Sequence, residues 1–140
     1  MGGINLSRCF LGGLVAGIVI WILEGVASVF YMDQMTASME RHGLTMEMSA
    51  SVFAWSVVVS LITGLVIVFF YALSRPRMGA GPKTAVIVAA ALWLGGYFVS
   101  VVAYHLLGLF PGSMLVVWGA VGLVEMILAG LLGAAIYREA

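Results

Sequence analysis

The chain has 140 residues, of which 64% are hydrophobic and 9% charged, with a formal net charge of zero. Soluble domains carry about 25% charged residues, so this composition excludes an ordinary soluble domain and indicates a membrane protein. The absence of a long basic tract excludes nucleic acid as an expected partner, and the single cysteine, Cys9, excludes an intrachain disulfide or a Cys-x-x-Cys motif.

Four apolar runs, at about residues 6–32, 49–73, 84–107 and 113–137, predict an all-α membrane protein, a four-transmembrane-helix bundle forming one domain over 1–140. Each run is near or above the roughly 20 residues that cross about 30 Å of hydrocarbon. The first exceeds the roughly 7–15-residue apolar region of a signal peptide and reads as a retained anchor, with Cys9 as an ordinary apolar residue near its start. Turn formers separate the runs: Gly43, then Pro76 and Pro82, then Gly108, Pro111 and Gly112. Arg8, Arg75, Arg77, Lys83 and Arg138 fall on one side and Arg41 alone on the other. The positive-inside rule then gives two hairpins with both termini and the central loop in the cytoplasm, and loops 33–48 and 108–112 outside.

Small residues spaced by four recur at Gly13 and Gly17, Ser60 and Gly64, Ala91 and Gly95, and Ala129 and Gly133. Such pairs let helix backbones approach closely, and packing within the bundle accounts for them. The expected partners are the lipid bilayer and, through one of these faces, another membrane protein or a second copy of the chain.

Two acidic residues lie within the apolar runs. At about 1.5 Å per residue, Glu24 is ~24 Å from Arg8 and Glu125 ~20 Å from Arg138, so the two share a depth. A carboxylate near a helix centre costs roughly 2.5–3.5 kcal/mol, so both should face protein or water, and at least one is expected to be protonated at neutral pH. Ser49, Ser56, Ser60 and Thr63 share one face of the second helix. Tyr97, Ser100 and Tyr104 form a stripe on the third, with His105 beside it. Together these groups predict an intramembrane polar pocket that opens outward; the competing reading is a buried polar network fixing helix register. Trp55 and Trp118 read as interfacial or packing aromatics.

Met32, Met35, Met39, His42 and Met46 follow a 3-4-3-4 spacing in the first outer loop. Thioethers with an imidazole suit Cu(I), but an amphipathic segment lying on the bilayer is the simpler reading. No cofactor is expected.

In the central loop, Pro76 and Pro82 are expected to end the flanking helices, and Thr84 to cap the third. Pro82 lies between Gly81 and Lys83 and removes an N–H, which argues against a phosphate-binding loop; Arg75, Arg77 and Lys83 read as contacts to lipid headgroups or a partner. Tyr71-Ala72, Arg75-Pro76-Arg77, Gly79, Gly81-Pro82-Lys83-Thr84-Ala85 and Trp93 resemble a pattern in an uncharacterised family of small four-helix bacterial inner-membrane proteins. Met78 and Ala80 occupy its variable positions. The resemblance implies a multi-pass protein of the bacterial inner membrane and brings no activity with it. The sequence has no Ser-His-Asp set, HExxH motif or nucleotide fingerprint, so an enzyme is not expected. The preferred functional expectation is a non-catalytic accessory or scaffolding subunit of a membrane assembly. The alternative is a proton-linked carrier or small-molecule binder using Glu24 and Glu125, and copper handling by the Met/His loop comes third.

Overall fold

The computed structural model describes residues 3–45 and 47–139, in which there are helices and no strands. Four helices are long and apolar enough to cross a membrane: α1 (Leu6–Arg41), α2 (Ala50–Met78), α3 (Pro82–Leu106) and α4 (Gly112–Ile136).

The helix ends differ from the sequence expectation in two places. α1 continues nine residues beyond Met32, because nothing between Met32 and Gly43 breaks a helix and charged residues are good helix formers. Met32, Met35 and Met39 therefore belong to its last turns, and Met46 lies outside the described residues. The helix stops where Gly43 takes a positive φ of 71°. α2 runs through Pro76 to Met78 instead of stopping at Leu73. The proline is in the final turn, where its fixed φ suits a helix and only one backbone hydrogen bond is forfeited. The turn into α3 is correspondingly short: Gly79 and Gly81 adopt φ of 83° and 126°, and Pro82 occupies the first turn of α3.

Side chains cap the starts of α1 and α2: Asn5 Oδ1 accepts from the Arg8 N–H at 3.1 Å, and Ser49 Oγ from the Val52 N–H at 3.2 Å. Thr84 does not cap α3. Its buried hydroxyl donates back to the Gly79 and Met78 carbonyls at 2.8 and 3.3 Å, which ties the end of α2 to the start of α3.

Packing is concentrated at the end of the bundle that carries Asn5, the 79–81 turn and Tyr137. Here Gly13 and Gly17 of α1 lie against Leu61, Gly64 and Leu65 of α2. A Cβ on Gly133 of α4 would stand 2.5 Å from Val68 Cγ2 and 2.9 Å from the Gly12 carbonyl oxygen. Since lipid tails are as apolar as the side chains, such close backbone contact is the main force that holds helices together in a bilayer. Ala91 and Gly95 are the exception: Ala91 is exposed and Gly95 faces open space.

The same end is closed by an aromatic clasp. The Arg75 guanidinium carbon lies 5.9 Å from the Tyr71 ring centre and 5.2 Å from that of Tyr137, and Arg75 Nε is 3.4 Å from Glu139 Oε1. Tyr71 Oη accepts from the Gly81 N–H at 3.1 Å, and Tyr137 Oη from the Asn5 N–H at 3.4 Å.

Toward the other end the helices separate. Residues 50–59 of α2 bury no side chain, nor do residues 93–106 of α3. α1 and α4 keep buried positions there, including Tyr31 and Ser38 on α1 and Met114 and Leu115 on α4. A cleft results between these two helices and the free half of α2.

Candidate functional site

Glu24 lies on α1 with Tyr31 two turns further along the same face, and the Tyr31 hydroxyl donates to Glu24 Oε1. Glu125 projects from α4, is 4% exposed, and lies close enough to the Glu24 carboxyl for the two to interact. Its Oε1 is buried and has no donor among the described residues. A carboxylate only accepts, so two neighbouring carboxyl groups can hydrogen-bond to each other only when one of them carries a proton.

α3 contributes Tyr97 through a local change of helix form. Residues Trp93–Phe98 wind as a π-helix around Gly95-Gly96, a pair with low helix propensity. Tyr97 projects over Gly122 of α4, where a Cβ would stand 2.5 Å from the Tyr97 ring, so the glycine is required for the ring to fit. The Tyr97 hydroxyl donates to the Trp118 carbonyl at 3.4 Å, and Trp93 Nε1 donates to the Gly119 carbonyl at 3.0 Å. These two bonds hold the π-helical turn against α4.

Trp118 is the centre of an aromatic cluster. It stacks on Tyr104 with ring centres 5.9 Å apart and planes 7° from parallel, and lies 6.0 Å from Tyr31, 6.2 Å from Tyr97 and 6.1 Å from Phe110. Its indole forms part of two separate cavities. One, of about 780 Å³, opens beside Glu24 and Tyr31 and is lined also by Trp21, Ser56 and Ser60. The other, of about 690 Å³, lies between α2, α3 and α4 and is lined by Thr63, Tyr97, Ser100 and Tyr104.

The chain matches no family model, no curated protein and no solved structure.

The expected polar groups divide between these cavities. Glu24, Ser56 and Ser60 meet at the first, and Thr63, Tyr97, Ser100 and Tyr104 at the second, with Trp118 between. Ser56, Thr63 and Ser100 donate to the carbonyls of Phe53, Val59 and Gly96 on their own helices, at 2.7, 2.9 and 3.0 Å, leaving their lone pairs for other donors. The Trp21 indole N–H takes up one of these, donating to Ser56 Oγ at 3.2 Å. His105 lies on a different wall, in a cleft with Trp93 and Gly112. Arg75 sits in the aromatic clasp at the closed end, whereas Arg77 and Lys83 are exposed beside it. Among the described residues no group of three His, Cys, Asp or Glu side chains is placed to hold a metal ion. Met32 and Met35 line the Glu24 cavity, and His42 Nδ1 is taken by the Ser38 carbonyl at 2.7 Å.

Two participants were not expected at this site: Tyr31, and Trp118, which reads from sequence only as an interfacial or packing aromatic. Tyr31 was available from its seven-residue spacing to Glu24, which places both on one helix face. Trp118 carried no such signal, since its position at the centre depends on how α4 rotates against α1 and α3.

Proposed function

We propose that this chain is an integral protein of a bacterial inner membrane that acts as a proton-linked carrier or binder of a small molecule at Glu24 and Glu125. The observation that carries this reading is the approach of the two carboxyl groups, with a buried Glu125 oxygen that has no donor among the described residues. A network serving only to fix helix register would be expected to satisfy its buried acceptors, whereas intramembrane carboxyls that exchange protons are kept at a cost in stability. Two helical hairpins with both termini in the cytoplasm are part of the proposal. The support is the charge asymmetry of Arg8, Arg75, Arg77, Lys83 and Arg138 against Arg41, and the loop resemblance supports the bacterial inner membrane.

The test is infrared difference spectroscopy of the purified protein across a pH titration. A carbonyl band of protonated carboxyl that titrates in the parent and is altered in both Glu24→Gln and Glu125→Gln is the expected result. A parent with no such band loses the proton-linked reading.

A second reading, an accessory subunit of a membrane assembly, is favoured by the surface of α3, where residues 93–106 include no fully buried side chain and Gly95 is open. It predicts a stable partner in native membranes solubilised with mild detergent.

A further inference from the structure

The carboxyl pair sits where the chain offers no positive charge. Among the described residues the only ion pair is Arg75–Glu139 at the closed end, and the sequence has no Lys or Arg between Arg8 and Arg41, between Arg41 and Arg75, or between Lys83 and Arg138. The titratable groups that face the pair are Tyr31 from α1 and Tyr97 from α3, with Tyr104 behind Tyr97. α2 brings only the Ser56 and Ser60 hydroxyls to the same cleft. None of these supplies a cation, so charge balance must come from a proton or from a ligand.

The walls indicate which kind of ligand. Ca²⁺ and Mg²⁺ seek six or more oxygen ligands, and the cleft beside Glu24 is mostly apolar and aromatic, with no group of three His, Cys, Asp or Glu side chains among the described residues placed to hold a metal ion. Trp21, Tyr31 and Trp118 line it together, and aromatic faces attract cations, most strongly when water is excluded. Its volume of about 780 Å³ suits a compact organic molecule. Glu24 is the carboxyl that lines the cleft, and Glu125 lies behind it, 4% exposed, with an Oε1 that has no donor among the described residues.

We propose that this cleft binds a monovalent organic cation bearing aromatic or other apolar groups, and that binding displaces one proton from the Glu24–Glu125 pair. The proposal rests on the reading of the pair as proton-linked and names its substrate class. One O–H bond breaks, its proton leaves to water, and the carboxylate left behind is neutralised by the cation. The net charge of the site is unchanged by the exchange, as a low-dielectric setting favours.

The experiment uses the full chain in detergent micelles, with tetraphenylphosphonium and the smaller benzyltrimethylammonium as probes and tetraphenylborate as the anionic control. Expected is saturable quenching of tryptophan fluorescence by at least one of the cations, with release of about one proton per cation bound and affinity falling by up to about tenfold per pH unit on acidification. Glu24→Gln and Glu125→Gln should abolish the proton release. Equal binding of tetraphenylborate, binding of neither cation, or binding without proton release overturns the proposal. The pH dependence of the parent needs no variant and stands even where a substitution impairs folding. If the carboxyl band titrates but no cation binds, the cation proposal alone falls; if the band is missing, both fall.

Discussion

Gly64 of α2 sits directly against Gly17 of α1: a Cβ added to Gly64 would land on the Gly17 amide nitrogen and beside the Gly13 carbonyl oxygen. Both obstacles are backbone and cannot swing aside. Overpacking typically costs about 1–3 kcal/mol, and Gly64→Ala is expected at the upper end of that range. Gly95→Ala, which enters open space, should stay within about 1 kcal/mol of the parent. Unfolding in mixed micelles measures both; equal losses would show that the crossing does not depend on close backbone approach.

Glu125 makes opposite demands on folding and on chemistry. A buried acceptor without a donor costs about 1–3 kcal/mol, so Glu125→Leu should stabilise the fold by about 1 kcal/mol while removing proton exchange. Glu125→Gln should leave stability nearly unchanged. The same unfolding assay decides, and a loss of 2 kcal/mol or more in the Leu variant would make the pair a structural brace.

At the closed end, the Arg75 guanidinium packs against both the Tyr71 and the Tyr137 rings, which also touch each other. Cation–π contacts contribute about 0.5–2 kcal/mol each according to burial, so Arg75→Gln should lose about 1–2 kcal/mol. Glu139 is the more exposed partner of the ion pair, at 42%. Its replacement by Gln should cost less than about 1 kcal/mol, and the difference should diminish in high salt.

Orientation is testable with single cysteines in a Cys9→Ala background. Ala80 and Leu44 are both exposed, one in the turn before α3 and the other beyond α1. A membrane-impermeant maleimide added to intact cells should label a cysteine at position 44 and leave one at position 80 unmodified until the membrane is opened. The reverse pattern would invert the topology.

Hydropathy made the four helices legible in the sequence, because each apolar run approaches or exceeds a membrane's thickness. Their ends were less legible. Asp33 and Glu40 marked a polar segment but not a helix stop, and Pro76 marked a stop that the last turn of α2 did not need. Counting along the helices put Glu24 and Glu125 at one depth, and their contact follows once α1 and α4 pack side by side. Rotation about the helix axis was harder to read. His105 is one residue past Tyr104, about 100° around the helix, and that suffices to place it on another wall. The π-helical turn that carries Tyr97 had no local sign beyond Gly95-Gly96, since it depends on the bonds that Trp93 and Tyr97 make to α4.

The uneven packing of α2 makes that helix a beam fixed at one end. From Ser60 to Ala72 it is bolted to its neighbours, whereas residues 50–59 have no fully buried side chain and meet α1 through Trp21, which bonds Ser56 and packs on Phe53. Bending of that lightly held arm would change the width of the cleft and leave the closed end in place. A molecule lodged beside Trp118 would therefore damp the arm, and amide protection should rise at 50–59 while the stretch around Gly64, Val68 and Tyr71 keeps the rigidity it already has.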